Sequence, residues 1–217
     1  MRIITTRDGS HTLYVPELDE HYHSIHGAVQ ESEHIFLKAG YDKCMANPVN
    51  IFEVGLGTGL NALLTAMRSI SDQRIVFYTA VEKYPLENEI LAKLNYNEFT
   101  GPEGGIIYKL IHGSSWGKMN SISPGFSLLK VKGDLTVYVP DGHYDLVYFD
   151  AFGPDKQPEM WTKDVMERIA ATLMKGAILV TFSVKGEVRR NLQAAGFEVT
   201  IIPGPPGKRQ MIRAYKT

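Results

Sequence analysis

The rhythm of apolar positions changes at residue 49. Residues 1–48 form a polar, histidine-rich lead-in that ends in the breaker Asn47-Pro48. Within it, Ala28, Val29, Ile35, Phe36 and Leu37 can share one face of a helix over 28–39. After residue 48, short apolar runs alternate with helically spaced segments. Runs at 49–54, 75–81, 126–131, 146–149 and 177–182 predict buried strands. Leu60, Leu63, Leu64 and Met67 fall on one face of a helix over 60–70. Further helices are predicted over 86–95, where Pro85 suits a first turn, over 162–174 and over 185–195. The stretch 98–125 is rich in Gly and Ser and shows no clear period.

The C-terminus breaks the alternation. Segments 197–202 and 211–215 are β-like and are joined by Pro203-Gly204-Pro205-Pro206-Gly207-Lys208-Arg209-Gln210, with no helix between them. Strands joined so directly pair antiparallel. The expected fold class is α/β: a mostly parallel seven-stranded sheet with a C-terminal antiparallel hairpin. It is expected as a single domain over 1–217, with 1–48 as lead-in and 49–217 as core.

Composition removes several function classes. Hydrophobic residues are 44% and charged residues 22% of the 217, as in ordinary globular proteins. Formal net charge is −1, so no global basic field attracts nucleic acid, although a local basic face would suffice. A single cysteine, Cys44, permits neither a disulfide framework nor a thiolate zinc site. No apolar run approaches the roughly 20 residues of a membrane span. The first eight residues lack the apolar core of a signal peptide. A cytoplasmic protein with no membrane partner is expected. His21, His23 and His26 have a spacing that could suggest metal ligands, but no carboxylate closes the motif, and no metal is expected.

The chemistry concentrates at strand ends. Glu53-Val54-Gly55-Leu56-Gly57-Thr58-Gly59-Leu60 joins a strand to a helix. Glycines at 55, 57 and 59 allow positive φ and let a ligand lie against bare backbone. A dinucleotide fingerprint needs its third glycine at position 60, where this chain has Leu60. The spacing suits a methionine-nucleoside cofactor, which has no pyrophosphate to cradle. Glu53 can shape the loop or bond the cofactor's ammonium. Glu82 ends the next strand, where an acidic side chain accepts both ribose hydroxyls. Asp134, after Lys132-Gly133, can accept from an adenine amino group, and Asp150 ends the following strand beside the transferable methyl. Four carboxylates along one sheet edge also suit a cationic sulfonium. S-adenosyl-L-methionine is the expected cofactor, and a Rossmann-like class I methyltransferase the expected fold.

The block Asp150-Ala151-Phe152-Gly153-Pro154-Asp155-Lys156-Gln157-Pro158-Glu159-Met160-Trp161-Thr162 is more specific. With Gly55-Leu56-Gly57-Thr58-Gly59-Leu60-Asn61 and Glu82-Lys83-Tyr84-Pro85-Leu86, it resembles the MnmC-type tRNA methyltransferase family. The resemblance continues through Val188–Phe197, Gly207–Met211, and the lead-in from Tyr22 and Ser24 through Glu31 to Phe36. It implies methylation of 5-aminomethyl-(2-thio)uridine to 5-methylaminomethyl-(2-thio)uridine at the tRNA wobble position. Asp150 would be the catalytic group. Lys83 would lie beside the cofactor, and Glu31, Phe152 and Pro154 beside the target nucleoside. Lys185, Arg189 and Arg209, with Arg190 and Lys208, would meet anticodon-stem phosphates. Nothing in the chain corresponds to the oxidoreductase domain of bifunctional members, so methylation alone is expected. Leu135–Val139 is β-branched where related enzymes often place a helix.

An alkylamine is largely protonated at neutral pH, as the reference value of about 10.4 for lysine indicates. The reaction therefore asks for a carboxylate that can hold the amine's N–H and release its proton. The alternatives on the same residues are a small-molecule amine N-methyltransferase and a polyamine synthase-like aminopropyltransferase. A non-catalytic RNA-binding module sits least well with the intact row of acidic strand ends.

Overall fold

A computed structural model describes residues 1–217. The lead-in is not a loose arm. Strands β1 (Arg2–Thr5), β2 (His11–Val15) and β3 (Glu20–His21) form a small antiparallel sheet of their own. Helix α1 opens at Ala28–Ser32 and continues as a π-helical stretch, Glu33–Lys38. Ile35, Phe36 and Leu37 are all at most 1% exposed. Three consecutive buried side chains exceed what one face of a 3.6-residue helix covers, and the wider π turn accommodates them.

The core sheet is built from β4 (Val49–Val54), β5 (Val76–Glu82), β6 (Met119–Ser123), β7 (Phe126–Lys132), β8 (Tyr144–Phe149), β9 (Leu173–Thr181), β10 (Phe197–Pro203) and β11 (Gln210–Lys216). Its order is β10-β11-β9-β8-β4-β5-β7-β6. Pairings from β9 through β8, β4 and β5 to β7 are parallel, and β10–β11 and β11–β9 are antiparallel. The C-terminal hairpin is therefore as expected. The strand count is not: β6 adds an eighth strand, antiparallel to β7 on the far edge. Its sequence, Met119-Asn120-Ser121-Ile122-Ser123, buries only Ile122, which left little apolar signal to read.

Helices cover both faces. Between β4 and β5 runs α2 (Leu60–Asp72), whose Leu60, Leu63 and Leu64 are buried as the spacing predicts. The short α3 (Asn88–Leu91) replaces the longer helix expected over 86–95; Pro85 precedes it in the loop and does not start it. Stretch 98–125 contains a substantial helix, α4 (Asn97–Gly113). Gly101 breaks it with φ 70° and ψ −174°, and Pro102 restarts it at a position where a missing N–H costs nothing. That Gly-Pro break disguised the period. Helices α5 (Lys163–Ala170) and α6 (Gly186–Ala194) pack on the opposite face. α5 is shorter than the expected 162–174, because β9 already begins at Leu173. Thr162 caps α5 by accepting the Val165 N–H at 3.4 Å. Leu135–Val139 forms neither strand nor helix but a turn.

The two faces bury separate apolar clusters. Tyr78, Tyr148, Phe36 and Phe126 belong to the lead-in and α2 side, and Phe52, Phe149 and Trp161 to the α5 and α6 side. No helix is long and apolar enough to cross a membrane.

Candidate functional site

Because β5 lies on one side of β4 and β8 on the other, the chain reverses direction of travel at the C-terminal end of β4. Open α/β sheets bind ligands at such a switch point. The register places Val54 opposite both Val81 and Phe149, so the three strand ends arrive level. Gly55 N–H donates to Val81 O at 3.0 Å, and Asp150 N–H to Val54 O at 3.1 Å, stitching the ends together.

Above them opens a cavity of about 740 Å³, in the range of pockets that enclose a nucleoside-sized ligand. Gly55, Gly57, Glu82, Lys83, Asp134, Asp150, Phe152 and Glu31 all line it. The lead-in supplies one wall, including Tyr22, His23 and Ser24. Among the lining side chains carboxylates outnumber lysines six to three.

The glycine loop is fixed by its conformation and by its neighbours. Gly55, Gly57 and Gly59 have φ of 85°, 50° and 74°. A Cβ on Gly57 would stand 3.0 Å from the Tyr22 ring, and one on Gly59 2.7 Å from His112 Nε2. Four side chains converge on buried Thr58. His23 Nε2 meets its Oγ1 at 2.8 Å, and Tyr96 OH donates to Oγ1 at 3.2 Å. Tyr108 OH donates to Thr58 O at 3.0 Å, and His112 Nε2 meets the same oxygen at 3.1 Å. Burial pushes both His23 and His112 down to about 4, so both rings are neutral at physiological pH. Sequence reading missed this clamp: two of its members, Tyr108 and His112, lie in the stretch with no visible period. His23, which looked like a metal-spaced histidine, bonds the loop.

Glu53 lies beneath the loop, fully buried and outside the cavity lining. Burial raises its carboxyl well above the usual range, with the Asp150 charge adding to the effect and the Asn61 hydrogen bond opposing it. Asn61, in the first turn of α2, donates to Glu53 Oε1 at 3.0 Å and to Asp150 Oδ2 at 2.8 Å. Its position three residues after Thr58, polar on the buried face of α2, was the available signal. Glu53 Oε2 and Asn61 Oδ1 have no hydrogen-bond partner.

Glu82 Oε2 accepts the Gly57 N–H at 3.0 Å and Oε1 the Tyr84 N–H at 2.7 Å. Each oxygen keeps a second lone pair for a hydroxyl donor. Lys83 turns to Asp134, its Nζ 2.8 Å from Oδ2. The Lys83 and Thr136 hydrogen bonds hold the Asp134 carboxyl down at about 2.

The acceptor side is charged. Asp150 is part-exposed toward the cavity, yet protein packed around it pushes its carboxyl up to about 7. Desolvation is the main cause and the Glu31 charge adds to it, against opposing effects of Asn61 and Lys208. Phe152 stands edge-on to Tyr22, ring centroids 5.1 Å apart. Its carbonyl accepts from Trp161 Nε1 at 2.8 Å, and its N–H donates to Gln157 Oε1 at 3.2 Å. Trp161 is a core anchor, 2% exposed against Phe149 and Phe182. Pro154 and Gly59 lie outside the lining, as do Lys185, Arg189 and Arg209. Lys185 pairs with Asp155, while Arg189, Arg190 and Arg209 are exposed. Lys208 faces inward and bonds Glu31.

The donor set fits S-adenosyl-L-methionine. The Gly57 approach leaves backbone open to a ligand, Glu82 retains lone pairs for a ribose, and Asn61, which lines the cavity, carries an unpartnered acceptor.

Comparison with known proteins agrees. A family model described as S-adenosyl-L-methionine-dependent methyltransferase matches residues 126–217. The chain is 31% identical over 215 residues to the tRNA 5-methylaminomethyl-2-thiouridine biosynthesis bifunctional protein MnmC of Campylobacter hominis, covering 94% of this chain and 31% of that protein. It is 33% identical over 221 residues to the protein of the same name from Cupriavidus metallidurans, covering 96% and 33%. The chain thus spans about a third of the length of these curated relatives. Among solved structures, MnmC2 from Aquifex aeolicus superposes with a TM-score of 0.82 at 26% identity, covering all of this chain and 70% of the other.

Proposed function

The chain belongs to the MnmC-related S-adenosyl-L-methionine-dependent methyltransferases, and from that premise we propose that it N-methylates a 5-aminomethyl-(2-thio)uridine at the wobble position of tRNA. The observation that carries this reading is Asp150. It is a cavity-facing carboxylate raised to about 7, beside an aromatic pair and at the edge of the glycine-loop pocket. A carboxylate near 7 is a better base than an ordinary one and narrows the gap to an alkylamine at about 10.4.

When bound, S-adenosyl-L-methionine supplies an electrophilic methyl group. Glu82 and the backbone at Gly55 and Gly57 hold its ribose and methionine parts, with Asp134 and Lys83 at the adenine side. Glu53 and Gly59 support the loop from below. Asn61 fixes Asp150 through Oδ2, which leaves Oδ1 to accept an N–H of the substrate amine and take its proton. Phe152, braced by Tyr22, offers a ring on which the uracil stacks. Pro154 shapes the loop beside it. Lys185, Arg189 and Arg209 contact anticodon-stem phosphates, because they stand on the α6 and hairpin segments that flank the Asp150 loop. The lead-in and core work as one unit in a cytoplasmic enzyme.

Incubation with labelled S-adenosyl-L-methionine and tRNA lacking the final methyl group tests the reading. Label is expected in tRNA carrying aminomethyl-uridine, and not in tRNA without it. Label in a polyamine or free amine pool, with none in tRNA, would replace this substrate with a small molecule.

A further inference from the structure

Glu31 and Asp150 both line the cavity and act on each other electrostatically, and the Lys208 ammonium bonds the first and acts on the second. Glu31, on α1, is 9% exposed in its side chain, and Lys208, in the β10–β11 connection, is 32% exposed. Lys208 Nζ bonds Glu31 Oε1, while Glu31 Oε2 accepts the Ser24 N–H at 2.7 Å. The tip that carries Lys208 is seated rather than free. A Cβ on Gly207 would overlap the His26 ring at 2.0 Å, Lys208 N–H closes a turn on Pro205 O at 2.9 Å, and Nζ lies 5.1 Å from the Phe182 ring centroid. The pair therefore joins residues 177 positions apart across the mouth of the site.

We propose that Lys208 is a positioning residue for methyl transfer: by pairing with Glu31, it leaves Asp150, of these two carboxylates, as the one that exchanges a proton with the substrate. The proposal rests on the amine-acceptor reading above. In the step concerned, an N–H bond of the amine breaks, its electron pair stays on nitrogen, and the proton forms an O–H bond on Asp150. A second uncommitted carboxylate would compete for that proton and for the amine. The groups facing Asp150 support the assignment. Glu31 raises its proton affinity and Lys208 lowers it. Burial raises the proton affinity of both Glu53 and Tyr78, beneath it, well above the usual range, and Asn61 is uncharged.

The test is a ¹³C-carboxyl NMR titration of the protein without tRNA or cofactor, using Asp150→Asn and Glu31→Gln to assign the two resonances. In the unsubstituted protein Asp150 is expected to titrate around neutral pH. Lys208→Met should raise the Asp150 midpoint, and Lys208→Arg should return it. Glu31→Gln keeps an acceptor for the Ser24 N–H and should lower the Asp150 midpoint by about 1 pH unit. The acid limb of the methylation pH profile should follow in the same direction. An unmoved Asp150 in Lys208→Met, or in Glu31→Gln, overturns the proposal. Because the titration needs no acceptor, it decides the role of Lys208 even if tRNA receives no methyl group.

Discussion

The two ends of the cavity are held by different physics. At the glycine loop most restraints are neutral or backbone-borne: positive φ at three glycines, a buried threonine gripped by two tyrosines and two uncharged histidines, and Glu53 with its proton affinity raised by burial. The Glu82 carboxylate, which accepts the Gly57 N–H, is the exception. At the acceptor end the restraints are charges: Asp150 near its midpoint, and Glu31 against Lys208. The first arrangement gives a rigid cradle whose geometry changes little with pH. The second gives a site whose charge state is poised to change with what enters it. Binding a cofactor asks for the former and moving a proton for the latter.

The sharpest separation of the two ends is Asp150→Asn. Its amide cannot take the proton, so kcat should fall by about 100-fold or more, while cofactor affinity by calorimetry stays within about twofold. A matching loss of cofactor affinity would mean that the ends are not separable and that Asp150 works by holding the loop.

Gly57→Ala makes the reciprocal test. A methyl group there meets a φ of 50° and the Tyr22 ring, a strain of about 1–3 kcal/mol, so cofactor binding should weaken by about 10-fold or more. Rates at saturating cofactor should recover most of the original kcat. A kcat that stays low would place Gly57 in the acceptor chemistry.

Thr58→Val removes the hydroxyl that His23 and Tyr96 share and leaves both groups buried without it. Unfolding in urea should show a loss of about 1–3 kcal/mol, with only a few-fold loss in cofactor affinity. An unchanged midpoint would show that the convergence on Thr58 contributes no rigidity.

The smallest effect is on acid stability. His112 has a folded value near 4, below its unfolded value of about 6.5, so the unfolded chain binds the extra proton between those limits. Its contribution is complete above pH 6.5 and is lost as pH falls toward 4. His112→Gln should flatten the fall in stability over that window by up to one proton's slope, measured by urea midpoints at successive pH values. A slope that does not change would mean that the ring is charged in the folded protein.

How much of this could be read in advance follows from where each signal is stored. The alternation of apolar runs set the parallel core because a buried strand must be apolar along its own length. The hairpin followed from Pro203–Gln210, too short to carry a crossover helix. The strand-end residues Glu53, Glu82, Asp134 and Asp150 were legible because a parallel sheet brings every such end to one edge. Strand β6 was not, since an edge strand with one buried residue has almost no pattern. Nor was α4, where Gly101-Pro102 interrupts the period.

Local sequence thus determined the fold, the cradle and the row of acidic ends, since each depends on backbone preference or burial within a few residues. Tertiary structure alone decided the partners. Thr58 became a hub only when the lead-in and α4 closed on it. Lys208, one of five basic residues indistinguishable by type, turned inward because the hairpin tip seats on His26 while its neighbour Arg209 stays in solvent. A charge's role is set by what faces it across the fold, and no spacing along the chain encodes that.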